Sequence, residues 1–336
     1  MTEKLDAVIV GGGVAGLWIL HRLRHHGLNV RLYDSGASQG QTANSQGILH
    51  RGTKYLLRPT EGTVQRFPDL LQRWRACLDG ENAPGDPDLS TTRVVGEGLD
   101  LLSNEPLPED LVDRLEWAQE RGLVEYVRGR YRFCEPVLDP RPLLANLEQL
   151  HASSIIKVAA PTAELTQSCR WLILAAGAGN EPLLNDLGLH QPVMIRRPLH
   201  LVWAYGALPP TFCHVLDSRA APGRPGAHWT VTSRQENGKY SWYLGGDFSE
   251  AERSPEEQQD LVRRLLRRSF PDVEVNELKS FHIDRAEPQP TGPRSLQPFL
   301  HRQDGPPANA HVLTVWPMKL VLAPLLADRV AAEMGL

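Results

Sequence analysis

The sequence predicts an α/β fold in which a parallel-sheet domain is interleaved with a smaller antiparallel-sheet domain. Three observations predict it. Residues Asp6 to Asp34 read as strand, glycine turn, helix, strand; alternating segments flank Asn237-Gly238 in the middle of the chain; and no linker cleanly divides the chain. At 336 residues and 41% hydrophobic side chains the chain buries a sizeable core, enough for about two domains. The 36 Lys and Arg against 40 Asp and Glu leave a formal charge of −4, so no global field favours nucleic acid or anionic lipid.

The N-terminal unit carries the first function. "DAVIV" is a buried strand, "GGGVAGLWILHRLRHHG" a tight turn entering a helix that ends at Gly27, and "LNVRLYD" a second strand. Gly11, Gly13 and Gly16 match G-x-G-x-x-G. The first allows the turn, the second lets the backbone approach a pyrophosphate, and the third permits close packing of helix on strand. The helix start, with Val14 and Ala15, offers free N–H groups and partial positive charge to phosphate oxygens. Asp34, 18 residues after Gly16, is placed for ribose hydroxyls and would repel a 2′-phosphate. A Rossmann-like site for a dinucleotide is expected here.

After Asp34 and Ser35 the chain departs from an NAD-type unit. "SGASQGQTANSQG" has no apolar periodicity and many small donors and acceptors, which suits a loop wrapped around a pyrophosphate and a ribityl chain. At this point the sequence resembles the D-amino-acid oxidase-like (DAO) superfamily of FAD-dependent oxidoreductases, which includes glycine and sarcosine oxidases. "NSQGILHRGTKYL" looks like the corresponding segment of L-2-hydroxyglutarate oxidase and the flavin-dependent glycerol-3-phosphate dehydrogenases. "FCEPVLDPRPLLANLEQL", "WLILAAGAG" and "VLTVWPMKLVLAPLLADRVA" resemble the family's return into its FAD domain, its later nucleotide-side strand, and its last strand, flavin-contacting turn and final helix. The family's glycine- and histidine-rich turn is replaced here by "WPMKL", and the stretch between His151 and Trp171 is short, so the usual hairpin is expected to be trimmed.

The resemblance implies a FAD-binding domain over residues 1–85, 134–190 and 282–336 and a substrate domain over 86–133 and 191–281. It implies FAD contacts from Gly11, Gly13, Val14, Ala15, Gly16, Asp34, Ser35, Thr42, Ala43, Asn44, Ser45, Gln46, Gly47, Ala176, Gly177, Lys319 and Leu320. The middle of the chain fits a sheet on the substrate side: strands from Thr91, Pro198 and Ala227, the last folding back at Asn237-Gly238. Ser254-Pro255-Glu256-Glu257 is a capping box opening a helix to about Phe270.

A flavin performs hydride transfer itself, so the protein must hold the donor carbon, orient the substrate and stabilise charge. Lys319, or the backbone N–H groups of Lys319 and Leu320, suits the flavin N1 and C2 oxygen. His50 suits a proton acceptor, since its unperturbed pKa lies near neutrality. Arg51 follows it, and Tyr55 suits a hydrogen-bond donor in the same cavity. Arg285 resembles the family arginine that meets a substrate carboxylate, and a guanidinium fork suits that role; ion pairing to Asp284 or Glu287 is the alternative. Strand alternation leaves open which of Arg197, His200, Trp242 and Tyr243 face inward.

The expected activity is FAD-dependent oxidation of a C–N or C–OH bond in a small, carboxylate-bearing molecule, reoxidised by oxygen or another acceptor. The alternatives are an NAD-dependent dehydrogenase and a FAD-binding scaffold or redox sensor without turnover. No metal, nucleic acid or transmembrane segment is expected, because the longest apolar run is too short to span a bilayer; peripheral membrane contact stays open. The scattered cysteines Cys77, Cys134, Cys169 and Cys213 fit a reducing cytoplasm.

Overall fold

Apolar runs punctuated by glycine build the first sheet. The computed structural model describes residues 5–36, 40–58, 68–158, 169–289, 297–304 and 310–336. Strand β1 (Leu5–Val10) pairs in parallel with β2 (Val30–Tyr33) and with β9 (Cys169–Leu174). Short β8 (Ile155–Ile156) extends the sheet beyond β2. On the other side, β16 (His311–Trp316) runs parallel to β9, with antiparallel β15 (Phe299–Gln303) at the edge. The order is therefore 15-16-9-1-2-8. Buried on both faces, such strands read as continuous apolar runs, as "DAVIV" and "WLILA" do.

Helix α1 (Val14–His25) is apolar nearly all round, and Leu17, Trp18, Ile19 and Leu20 are fully buried. A helix with so wide an apolar surface must be covered on several sides. It packs against α4 (Pro140–Leu150) and the last helix, α7 (Ala323–Glu333). Trp18 also meets Trp74 of α2 (Pro68–Asp79), ring centroids 4.6 Å apart. At the start of α4 the Asp139 carboxylate caps Arg141 N and Pro140 takes the first turn.

The second sheet has the order 14-10-13-12-11-4-6-5. Its long members are β10 (Met194–Gly206) and β14 (Val275–Pro288), joined in register from Met194 opposite Pro288 to Tyr205 opposite Glu277. Next come β13 (Lys239–Gly246) and β12 (His228–Glu236), closed by Asn237 and Gly238, both at positive φ, as the dipeptide predicted. β11 (Cys213–Leu216), β4 (Leu99–Ser103), β6 (Arg130–Phe133) and β5 (Val124–Val127) complete it. One correction concerns its character: β4 and β11 pair in parallel, because the chain between them crosses through the nucleotide-side sheet before returning.

Helix α6 (Pro255–Ser269) opens with the expected reciprocal capping box and covers the outer face, while α3 (Glu109–Gln119) packs by β5. Two-residue β7 (Val137–Leu138) pairs with β3 (Val94–Gly96), and α5 (Asn180–Asp186) follows β9. The expected domain limits do not coincide with breaks in structure. β14 runs through 281/282 without interruption, and Asp86 is bound by Arg22 and Arg73 of the nucleotide-side helices. The expected trimming of the hairpin before β9 falls mostly on residues 159–168, outside the described residues.

Candidate active site

The glycine turn does what its spacing requires. Gly11 has φ +116°, and a Cβ there would lie 2.6 Å from Ala175 O. A Cβ on Gly16 would lie 1.9 Å from Gly11 O, so helix and strand touch through that glycine. Gly13, at φ −76°, is the helix N-cap; it brings no side-chain hydrogen bond and no acidic residue stands in the first turn. The nearest neighbour of a Cβ on Gly13 would be Thr42 Oγ1 at 3.3 Å, and Thr42 also accepts a long bond from Val14 N at 3.4 Å. A bare, positively polarised helix end in a cradle of small residues fits a pyrophosphate. Asp34 closes the other side: Oδ1 accepts from Gly12 N at 3.2 Å, and Oδ2 pairs with Lys157 Nζ at 3.1 Å. Ser35 beside it is exposed. Ala176 abuts the same turn, its N donating to Asn180 Oδ1, and the following Gly177 O accepts from Trp316 Nε1.

The loop from Thr42 to Gly47 links the two sheets. Tyr243 Oη donates to Asn44 O at 2.5 Å, Arg234 Nη2 donates to Ser45 O at 2.9 Å and more weakly to Ala43 O, and Gln46 Nε2 donates to both Thr230 O and Tyr243 O at 3.2 Å. Gln46 is thus turned to the second sheet. Gly47, at φ +73°, lets the chain pass Leu138 O, which a Cβ would approach to 2.0 Å.

From there the chain enters a 3-10 turn, Thr53–Leu57, whose residues meet the far end of the molecule. Lys319 Nζ donates to Tyr55 Oη at 2.9 Å and stands 4.5 Å from its ring centroid. The Tyr55 ring lies 5.4 Å from that of His50. Arg285 Nη2 donates to Met318 O at 3.2 Å, next to Lys319, and Arg285 Nε stands 3.6 Å from Glu287 Oε2. Burial, then the nearby charges of Lys319, Lys54 and Arg285, hold His50 well below its ordinary pKa, so its ring is neutral.

The expectation that His50 accepts a proton is corrected by its hydrogen bond. His50 Nδ1 accepts from Gly52 N at 2.6 Å, so the neutral ring carries its proton on Nε2 and presents a donor. Arg51 is not brought to the cluster: its side chain turns to Gly122 O at 3.2 Å. The Lys319 backbone N–H, expected to face the flavin, is taken by Pro317 O at 2.7 Å in a turn where Met318 has φ +61°. Asp284 pairs with Arg196, leaving Glu287 as the partner of Arg285. Of the strand candidates, Tyr243 faces the loop, Trp242 packs on Phe270 beneath the sheet, His200 stacks on His282 at 3.9 Å, and Arg197 lies near Glu250 and Glu287.

Sequence reasoning missed Lys54 and Glu135. Glu135 is fully buried; its Oε1 accepts from Arg51 N at 2.6 Å, Thr53 N at 3.1 Å and Thr53 Oγ1, while burial pushes its carboxyl pKa up against those bonds. It thereby fixes the backbone that carries Lys54 and Tyr55. Lys54 lies in the 3-10 turn beside Tyr55, whereas the Arg51 side chain turns away to Gly122 O.

The described residues include no helix long and apolar enough to cross a membrane. Comparison with known proteins agrees with the nucleotide cradle. FAD-dependent oxidoreductase PA4991 of Pseudomonas aeruginosa is 35% identical over 367 residues, covering 98% of this chain and 90% of its own. Its crystal structure superposes with a TM-score of 0.75 at 33% identity, over 100% of this chain and 92% of that one. Glycine oxidase from Geobacillus kaustophilus shares the fold at 16% identity and a TM-score of 0.65, over 99% and 95% of the two chains. Iminodiacetate oxidase from Chelativorans sp. BNC1 does so at 16% identity and 0.60, over 98% and 95%. The family described as DAO, FAD dependent oxidoreductase, matches residues 6–332, which sets aside an NAD enzyme and a scaffold without turnover: the chain belongs to the DAO family of FAD-dependent oxidoreductases.

Proposed function

We propose that the enzyme oxidises the C–N bond of a small amine that carries a carboxylate, with the hydride passing to flavin N5. The observation that carries this reading is the convergence of Lys319, Tyr55, Arg285 and neutral His50 between the nucleotide cradle and the second sheet. An arginine fork supported by a lysine selects a carboxylate. An amine is preferred to a hydroxyl because glycine oxidase and iminodiacetate oxidase share the fold; a hydroxy acid is the other outcome of the same test.

FAD, when bound, supplies the hydride acceptor. Gly11, Gly13, the start of α1, Thr42 and Asp34 would hold its pyrophosphate and ribose. Arg285 would fix the substrate carboxylate, and Met318 O and Glu287 keep the guanidinium in place. Lys319, anchored on Tyr55, contributes fixed positive charge without having to reorganise. His50 offers its Nε2 hydrogen to an acceptor, and its neutrality spares the site a further cation. Glu135 positions the turn by holding residues 51 and 53. The scattered cysteines support the cytoplasm as the place where this happens.

The test is anaerobic bleaching of the flavin absorbance across amino acids, N-substituted amino acids and 2-hydroxy acids. Rapid bleaching by one amine class is expected. Failure of every amine and every hydroxy acid to bleach the flavin would overturn the reading.

A further inference from the structure

The 3-10 turn Thr53–Leu57, which carries Tyr55, is fastened at both ends by a buried carboxylate. Glu135 holds its start through the bonds from Arg51 N and Thr53 N. Its end is held by Asp247, which stands where β13 passes into a second 3-10 turn, Asp247–Glu250. Arg58, the residue after the first turn, donates from Nη2 to Asp247 Oδ1 at 2.5 Å, and its backbone N–H donates to Tyr55 O at 3.1 Å. A single backbone bond therefore separates the carboxylate-bound residue from Tyr55.

Asp247 is itself fixed. Its Oδ1 also accepts from Arg224 Nη1 at 3.1 Å, and its Oδ2 accepts from His228 N at 2.9 Å. Gly246, the residue before it, has φ +130°, and a Cβ there would lie 2.6 Å from Trp229 Cα, so β13 is pressed directly on β12 at this point. The Asp247 side chain is 4% exposed and that of Arg58 16%. A pair so withdrawn from water is little screened, and neither member can be lost without leaving the other's charge uncompensated. The neighbouring backbone docks on the same side of the molecule. Arg114 Nε, on α3, donates to Leu56 O at 2.9 Å, and a Cβ on Gly226 would lie 1.9 Å from Leu57 O.

From Tyr55 the connection passes to Lys319 through the 2.9 Å bond between Oη and Nζ. Fixed charge assists a reaction only where it does not have to reorganise, so the anchor of that ammonium must itself be held in place. We infer that Asp247 is a positioning residue for this site: through Arg58 it sets the place of Tyr55, and through Tyr55 that of Lys319 Nζ. The inference rests on the placement of the site in the reading above, not on the choice between amine and hydroxy acid. The groups bound to Asp247, namely Arg58, Arg224 and His228 N, belong neither to the glycine turn nor to the loop Thr42–Gly47. FAD retention and hydride transfer should therefore respond separately to its loss.

The test uses the FAD-loaded enzyme and whichever substrate bleaches its flavin fastest. Asp247→Asn should keep the FAD content, and its limiting rate of anaerobic flavin reduction should fall about three- to tenfold while the half-saturating substrate concentration holds. In a Tyr55→Phe background the same substitution should cost less than about twofold, because its effect passes through the Tyr55 hydroxyl. Arg58→Gln breaks the pair from the other side and should behave alike, which keeps the test available should Asp247→Asn fail to fold. A merely structural ion pair would lower the melting temperature and leave the limiting rate per bound flavin unchanged. That result, or an equal loss with and without the Tyr55 hydroxyl, would overturn the inference while amine oxidation stands. Wild-type flavin bleached by no amine and no hydroxy acid would overturn both.

Discussion

Lys319 Nζ donates to Tyr55 Oη at 2.9 Å across 264 positions of sequence, tying the turn that follows the cofactor loop to the turn that opens the final helix. Neither residue is placed by its own segment alone. The pair joins two segments far apart in sequence where the proposed site lies.

That bond predicts a graded loss. Lys319→Met removes a fixed charge and should slow anaerobic flavin reduction by about ten- to hundredfold; Tyr55→Phe removes only the neutral acceptor and should cost about tenfold or less. The double variant should be no slower than Lys319→Met alone, because the two act as a unit. Rapid-mixing spectrophotometry checks this, and multiplicative losses would contradict the coupling.

Two glycines of one motif should fail differently. Gly13 has an ordinary φ, and a Cβ there would press only on the Thr42 side-chain hydroxyl at 3.3 Å, so Gly13→Val should leave a folded protein whose FAD affinity falls by about tenfold or more. Gly16→Ala drives a Cβ into Gly11 O and should lower the melting temperature of the apoprotein itself. Circular dichroism of apoprotein together with FAD titration distinguishes them.

Arg285 should set the preference for acids. Arg285→Ala should abolish discrimination between a substrate acid and its amide, a loss of about ten- to hundredfold in binding, while Arg285→Lys retains part of it. FAD content should not change. A mutant that keeps the preference would make Arg285 a structural partner of Glu287.

Acid should loosen the contact between α1 and α4. His21 Nδ1 and His151 Nε2 stand 3.0 Å apart, and burial followed by the neighbouring His151 ring lowers the His21 pKa from 6.5 to about 4. The unfolded chain therefore takes up this proton first as pH falls. Stability from this group is complete above pH 6.5 and is lost as pH drops through the interval down to about 4. Thermal unfolding should show a smaller decline between pH 7 and pH 5 in His21→Gln than in wild type.

Much of the fold was legible because its signals are local. The glycine spacing, the Asn237-Gly238 turn and the Ser254 capping box each fix backbone geometry within a few residues, and the structure places these as read, with Asp34 directly after β2. The site was legible only in part. Choosing Lys54 over Arg51 depends on the buried carboxylate of Glu135, which bonds the backbone on both sides of Gly52 and is about 80 residues away. The donor state of His50 depends on a bond to Gly52 N that no periodicity announces. The parallel pairing of β4 with β11 is likewise a property of chain crossing, invisible to alternation in either strand.

The bonds that Tyr243 and Arg234 donate to Asn44 O and Ser45 O, and that Gln46 donates to Thr230 O, point to a second task for the cofactor. A loop that held the nucleotide on one side and the hairpin of β12 and β13 on the other would make cofactor loading and hairpin order thermodynamically reciprocal: whatever steadies one must steady the other by the same free energy. Flavin-free chains should then expose this hairpin to proteases and to amide hydrogen exchange first, so that quality control in the cell would sense cofactor supply at a surface remote from the redox chemistry.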